Sequence, residues 1–181
     1  VVEKCAKDLE LLNIKVTIPK APFPVLQFPD VYEVVRKRGK KVIDGEDLDS
    51  EAEKLVWEYV KETLGAEFYF VNRFPSKIKP FYVMKNDTVP QWARSVDLNF
   101  KGLELSSGGQ REHRYEQLMA RVKEKNMTEA EVEWFTKFFQ FGVPPHGGFA
   151  IGIERLTMSL LDIENVRDCV LFPRDPERLV P

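Results

Sequence analysis

One alternating segment, residues 95–105, constrains the fold more than any other part of the sequence. In SVDLNFKGLEL, the apolar residues Val96 and Leu98 alternate with the polar residues Asp97 and Asn99. Successive side chains of a β-strand point to opposite faces of its sheet, so a period of two predicts a strand with one buried and one polar face. The segment is therefore predicted to be a half-buried strand.

Four shorter segments are also predicted to be strands. FYFVNRF (68–74) and FYVMK (81–85) are rich in aromatic and β-branched residues, and the basic stretch PSKIKP separates them. This composition predicts two neighbouring strands. FAIGI (149–153) and CVLFP (169–173) are short and apolar, which favours one strand each.

Capping signals and helical spacing of apolar residues predict the helices. Ser50 with Glu53, and Thr128 with Glu131, form capping boxes, and Gly65 suits a helix C-terminus. The predicted helices lie at about 1–13, 31–38, 49–65, 114–125, 129–140 and 154–162. Because no cap precedes Val1, we expect the chain to begin inside a helix, as part of a longer chain.

The order of these elements indicates the fold class. Residues 15–30 hold four prolines, which deny backbone donors and predict an extended connector. Strands come in clusters with helices between them, rather than in a regular βαβ series. This order favours an α+β fold, an antiparallel or mixed sheet backed by helices, over a doubly wound parallel sheet.

Composition limits the class of protein. The chain has 181 residues, 43% of them hydrophobic, which suits one domain with an ample core. A formal net charge of −2 gives no general attraction for nucleic acid or anionic membrane, so a phosphate ligand must be met locally. No apolar run reaches the roughly 20 residues that span a bilayer, so we expect a soluble, cytoplasmic protein. Cys5 and Cys169 have no zinc-ligand spacing, and reduced structural thiols are favoured.

The segment GLELSSGGQREHR, residues 102–114, combines several groups that bind charged ligands. Glu104 and Ser107 offer hard oxygen ligands for a magnesium ion on nucleotide phosphates, and the following glycines allow close backbone approach. Arg111 can bind a carboxylate or amide through two parallel hydrogen bonds. The alternative is a polar hairpin with a solvated, charged tip.

The segment HGGFAIGIERL, residues 146–156, is the second candidate. Its glycines let the backbone pass close to a flat ligand, and Arg155 lies where the strand ends and a helix begins. An arginine there can stack on an aromatic base and reach a phosphate. The alternative is a core strand with an ion pair at Glu154. His146 adjoins the glycines and is harder to dismiss as structural than His113.

Together these segments resemble a known family. GLELSSGGQREHR, then WFTKFFQFGVPPHGGFAIGIERL, then NVRDCVLFPRDPERLVP are similar to the C-terminal half of archaeal-type aspartyl- and asparaginyl-tRNA synthetases of class II. GGFAIGIERL resembles the third class II signature motif. The resemblance is strong over about 66–181 and looser over 1–65. It implies an antiparallel sheet flanked by helices, and activation of an amino acid by ATP to an aminoacyl-adenylate and pyrophosphate.

The resemblance also implies roles for individual residues in ATP binding. Glu104 and Ser107 correspond to the magnesium and phosphate ligands. Arg155 corresponds to the arginine that packs on adenine and touches the terminal phosphate, and Gly152 leaves room for the base. Glu104 and Arg155 would thus serve catalysis by positioning and neutralising charge, since this chemistry needs no protein nucleophile.

Two residues are implied in amino-acid binding. Arg111 corresponds to the residue that reads the side chain of aspartate or asparagine, and His146 lies near that pocket. Arg111 can pair with a carboxylate or donate to an amide oxygen, so the choice of amino acid stays open. The residues of this chain also leave open whether tRNA is a substrate.

The departures from the family pattern shape the domain prediction. We expect residues 1–181 to form a single domain, the C-terminal half of a class II catalytic core, with a helical connector region over 1–65 and the sheet and site over 66–181. The first and second signature motifs have no counterpart here, and the complete protein is expected to be a homodimer. The alternatives are a tRNA-independent relative similar to asparagine synthetase and a catalytically silent paralogue that binds only a ligand or a partner.

Overall fold

The computed structural model of the chain describes residues 1–16 and 18–180. Its centre is a five-stranded mixed sheet in which the strands lie side by side in chain order. The first two strands pair in parallel, and every later pair is antiparallel. The strands are β1 (Val25–Gln27), β2 (Phe68–Asn72), β3 (Ser95–Phe100), β4 (Leu103–Arg111) and β5 (His146–Ile151). The predicted α+β class with an antiparallel or mixed sheet is confirmed.

Six α-helices accompany the sheet within the described residues. They are α1 (Ala6–Leu11), α2 (Asp30–Lys37), α3 (Ser50–Tyr59), α4 (Tyr115–Glu124), α5 (Glu129–Thr136) and α6 (Ile153–Leu161). A π-helical turn (Val60–Leu64) extends α3, and a 3₁₀ turn (Lys137–Phe141) extends α5. Another 3₁₀ turn spans Val166–Cys169. The predicted helices are therefore present, although α1 is shorter than residues 1–13.

The segment 95–105 contains two strands, where its alternation predicted one. Lys101 and Gly102, with φ values of 49° and 81°, turn the chain between β3 and β4. Backbone with positive φ suits glycine, which explains how the hairpin turns so tightly. Since β4 continues to Arg111, the SSGG sequence lies inside a strand, and the alternative of a solvated hairpin tip was wrong.

Three other local predictions were wrong. Residues 81–85 form only isolated bridges, Val83 with Arg111 and Lys85 with Ala93, because the chain there runs beside the end of β4 without building a ladder. Residues 169–173 pair with no strand in the described part of the chain, although their composition favours a strand. The N-cap of α3 is Asp49, whose carboxylate accepts the backbone N–H of Ala52 at 2.9 Å, and Ser50 is already helical.

The main core lies between the sheet and the pair α2 and α3. Its members are buried side chains, mostly aromatic and β-branched, from β2, both helices and the residues next to them: Phe28, Val31, Tyr32, Val35, Ala52, Val56, Val60, Tyr69, Val71 and Phe74. The Tyr32 hydroxyl donates to the carbonyl of Glu46 at 2.6 Å, which satisfies the polar end of a fully buried ring. This packing fixes one end of the sheet and leaves β3 to β5 available for the site.

The two faces of β3 to β5 differ in chemistry. The polar face carries Asp97, Glu104, Ser107 and Arg111, and the opposite, apolar face carries Val96, Leu98, Phe149 and Ile151, with Phe70 of the adjacent β2 beside Leu98. A cavity of about 700 Å³ lies against the apolar face. The predicted site residues Glu104, Ser107 and Arg111 thus lie on the face opposite that cavity. Within residues 1–16 and 18–180, no helix is long and apolar enough to cross a membrane.

Candidate active site

The β3–β4 hairpin brings the acidic and hydroxyl groups of the polar face together. Asp97 lies opposite Ser107 in the strand register, and Asn99 lies opposite Glu104. The Asp97 side chain is only 5% exposed, and both its carboxylate oxygens accept hydrogen bonds. It accepts from the Ser107 hydroxyl at 2.5 Å and from the Lys79 ammonium at 2.9 Å. A buried carboxylate is thereby held between a strand residue and a cation from the preceding loop.

Glu104 and Arg155 form the second contact of the polar face. Arg155 Nη1 donates to the Glu104 carbonyl at 2.9 Å and lies 3.4 Å from the Glu104 carboxylate. Burial raises the pKa of Glu104 above its ordinary value, and the negative charge of Asp97 raises it further, while Arg155 and Lys79 act in the opposite direction. The negative charge of Asp97 on the adjacent strand thus adds to the effect of burial on Glu104.

The start of α6 sets the position of Arg155. The backbone N–H of Gly152 donates to the carbonyl of Leu105 at 2.8 Å, and α6 begins at the next residue. A Cβ atom at residue 152 would touch only the aliphatic stem of Arg155, at 3.5 Å. Glu154 is exposed in the first turn and forms no ion pair within the described residues, so the alternative that assigned it one was wrong.

Arg111 faces a separate cavity of about 260 Å³ on the polar face. Lys79 and Tyr82 also line this cavity. Within the described part of the chain, the guanidinium of Arg111 takes part in no ion pair and no hydrogen bond, and it lies over the Tyr82 ring. Arginine carries five donors in a planar fork, so an unbonded guanidinium beside a cavity can receive a carboxylate or amide.

His146 lies beside Arg111 through strand pairing. It is the register partner of Arg111 across β4 and β5. Its Nδ1 lies 3.0 Å from the carbonyl of Pro144, and its ring centroid is 6.1 Å from that of Phe139. The sequence prediction placed His146 near the ligand surface, and the register brings it beside Arg111.

The glycines of SSGG have a packing role that the sequence reasoning did not predict. A Cβ at Gly109 would lie 2.6 Å from the carbonyl oxygen of Arg94, and one at Gly108 would lie 2.6 Å from Cβ of Phe149. Such distances are far below van der Waals contact, so both residues must be glycine for adjacent chain segments to approach. They allow close packing of protein on protein, and the close approach to a ligand that we predicted stays a prediction.

Two residues of the site were missed by the sequence reasoning. Asp97 was recognised only as a polar position of an alternating strand, and Lys79 only as part of a basic connection. The missing signal was the turn at Lys101 and Gly102. Had the hairpin been recognised, its register would have placed Asp97 against Ser107. Lys79 lies in a loop, and no periodicity indicates where its ammonium points.

Structural comparison assigns the class of the domain. The chain superposes on aspartyl tRNA synthetase from Entamoeba histolytica with a TM-score of 0.94 at 34% sequence identity. The match covers 100% of this chain and 38% of that protein. Asparaginyl-tRNA synthetase from Pyrococcus horikoshii, complexed with asparaginyl-adenylate, gives a TM-score of 0.87 at 28% identity, covering 99% and 42%. The mixed sheet flanked by helices, with its polar face, is thus the fold of a class II aminoacyl-tRNA synthetase.

Sequence comparison gives the family. The family model of tRNA synthetases class II (D, K and N) matches residues 1–176, and the chain belongs to this family. It is 47% identical over 175 residues to the aspartate–tRNA(Asp) ligase of Pyrococcus horikoshii, covering 97% of this chain and 40% of that protein. The chain therefore spans about 40% of the length of the curated relatives it matches. The resemblance inferred from the sequence motifs is confirmed.

Proposed function

We propose that the chain forms the ATP- and amino-acid-binding half of an enzyme that activates aspartate. In this reaction the α-carboxylate of the amino acid attacks the α-phosphate of ATP, and aspartyl-adenylate and pyrophosphate form. Attack on a polyanion needs alignment and charge neutralisation more than a protein nucleophile. One observation carries the proposal. The same sheet face holds an unbonded arginine beside a cavity and a cluster of carboxylate and hydroxyl groups that suits a phosphate-bound cation.

The nucleotide end of the site is assigned to the β3–β4 hairpin and the start of α6. Glu104 and Ser107 would hold Mg²⁺, with Asp97 beside them as a second carboxylate. Oxygen donors suit this ion. Burial and the charge of Asp97 raise the pKa of Glu104 by disfavouring its ionised form, and a bound divalent cation would stabilise that ionised form. When bound, Mg²⁺ would neutralise phosphate charge.

Arg155 and Gly152 complete the nucleotide end. We assign Arg155 to the adenine face and the terminal phosphate, and Gly152 to the space that the base needs. The half-exposed guanidinium of Arg155 supports this assignment, since its current bonds to Glu104 leave other N–H donors for a ligand. Arginine can combine stacking on a base with a bond to phosphate.

The amino-acid end is assigned to the 260 Å³ cavity. Arg111 would bind the side-chain carboxylate of aspartate, with Lys79 adding positive charge at the cavity wall and His146 beside Arg111 as its register partner. The electrostatics favour aspartate over asparagine, because two cations line the cavity while the carboxylate of Asp97 offsets only one of them. The 47% identity to an aspartate ligase supports the same choice.

The remaining assignments concern the complete protein. The relatives are named as ligases of aspartate and tRNA, so we propose that tRNA receives the aspartyl group. We also propose that residues 1–181 act as one domain within a longer catalytic core, and that the complete protein is a homodimer. Sedimentation of the complete gene product tests the dimer, and a monomer at micromolar concentration would contradict it.

Pyrophosphate exchange tests the proposed activity. The complete gene product should incorporate labelled pyrophosphate into ATP when aspartate is present, and much less when asparagine replaces it. Exchange with asparagine alone would support the second candidate, an asparagine-activating enzyme. No exchange with either amino acid would contradict both candidates and favour a protein that only binds ligands.

A further inference from the structure

The segment 81–84 brings one aromatic ring against the unbonded arginine of the amino-acid cavity. Val83 forms a bridge with Arg111, and the backbone N–H of Glu112 donates to the carbonyl of Tyr82 at 2.9 Å. The Tyr82 ring consequently lies beside the end of β4. Arg111 Cζ lies 5.6 Å from the centroid of this ring, within the range of a cation–π contact.

The ring of Tyr82 is itself held by other aromatic side chains. Phe81 packs edge-on against it at 5.5 Å between centroids, and Phe135 of α5 lies at 6.3 Å. Phe135 in turn packs on Phe139 at 5.2 Å. A ring with such neighbours has little freedom to turn, so it offers the guanidinium a fixed surface.

Gly148 forms the second contact of the guanidinium. A Cβ atom at residue 148 would lie 3.4 Å from Nη2 and 3.5 Å from Nε of Arg111. The guanidinium therefore passes directly over the backbone of β5. A single methyl group would make ordinary contact there, whereas a branched side chain would occupy the space of the guanidinium.

We propose that Tyr82 and Gly148 are positioning residues that hold the Arg111 fork toward the amino-acid cavity and thereby set selectivity for the amino-acid side chain. Neither residue needs to touch the substrate for this role. The inference rests on the proposed function, because it takes Arg111 as the group that binds the side chain. Two weakly directional contacts replace the hydrogen bonds that usually orient an arginine, which leaves all five donors for the ligand.

The test uses pyrophosphate exchange by the complete gene product, with the KM for aspartate and the KM for ATP measured separately. Tyr82→Leu should raise the KM for aspartate about tenfold, the size of a lost, partly desolvated cation–π contact. The KM for ATP should stay within about twofold, since the ring of Tyr82 packs against Arg111, Phe81 and Phe135, none of which is assigned to ATP. Tyr82→Phe keeps the ring face and should behave like the unmodified protein.

A second pair of variants does not depend on the aromatic cluster. Gly148→Val should raise the KM for aspartate, and Gly148→Ala, its matched control, should not. An unchanged KM for aspartate in Tyr82→Leu, or an equal rise in both KM values, would overturn the inference while the exchange activity of the unmodified protein upholds the proposed function. Absence of exchange in the unmodified protein would overturn both.

Discussion

Replacing Asp97 by asparagine removes one negative charge from the polar face and keeps the size of the side chain. The carboxylate lies on β3, is 5% exposed, and binds Lys79 at 2.9 Å and Ser107 at 2.5 Å. Lys79 is itself only 14% exposed. The substitution therefore leaves an ammonium group largely out of water without its counter-charge.

The expected loss of stability follows from these contacts. Removing one partner of a buried ion pair costs about 3–5 kcal/mol, and the remaining exposure of Lys79 reduces this to roughly 2–3 kcal/mol. Weakening the hydrogen bond from Ser107 adds about 1 kcal/mol, because a neutral amide replaces a charged acceptor. For an unfolding unit of the size of this chain, the total corresponds to a fall in Tm of roughly 6–15 °C.

Thermal unfolding of matched variants measures this effect. Asp162→Asn is the control, because Asp162 also pairs with a lysine, Lys101, at 2.7 Å but is 74% exposed. Such surface pairs contribute at most about 1 kcal/mol. Equal Tm values for Asp97→Asn and Asp162→Asn would refute the account of a buried, doubly bonded carboxylate. At temperatures where both variants are folded, only Asp97→Asn should lose pyrophosphate exchange.

Three further predictions follow from single contacts. Gly109→Ala should destabilise the fold by about 2 kcal/mol or more, since the new Cβ would lie 2.6 Å from a carbonyl oxygen. Gly152→Ala should fold normally, and urea unfolding compares the stabilities of the two variants. Burial alone would raise the pKa of Glu112, but the bonds from the neighbouring arginine outweigh it and hold that pKa below its ordinary value. Its ionised form therefore stabilises the fold above the unfolded pKa of about 4.3, so Glu112→Gln should be less stable at pH 7, and the difference should shrink below that pH and be lost as pH falls through the lower folded pKa. Arg155→Glu should abolish ATP binding in calorimetry with the fold intact, whereas Arg167→Glu, a similarly exposed residue, should bind ATP normally.

The sequence alone was sufficient for the fold class and for most elements. Alternation at Val96 and Leu98 identified a strand of the sheet, and Thr128 with Glu131 located the start of α5, where the Thr128 N–H donates to Glu131 at 2.7 Å. These signals are local, and the structure retains them. The failures at residues 81–85 and 169–173 share a cause, since strand composition does not reveal whether a pairing edge is available.

The candidate site was predicted in part, because some of its residues share one strand and others reach it from other parts of the chain. Ser107 and Arg111 lie four residues apart on one strand, so they share a face once the strand is recognised, whereas Glu104 joins that face only through the irregularity in the β3–β4 register at Leu98 and Asn99. Asp97 joins them only through the β3–β4 register, and Lys79 only through a loop. Register and loop paths depend on contacts between distant parts of the chain, which a reading of local periodicity does not contain.

A structure of the complete gene product bound to a non-hydrolysable analogue of aspartyl-adenylate tests the central claim most directly. The account predicts that the analogue lies on the polar face, with its side-chain carboxylate on Arg111 in the 260 Å³ cavity and its adenine against Arg155. An analogue bound in the cavity of about 700 Å³ on the apolar face, or one that leaves Arg111 without a ligand contact, would contradict it.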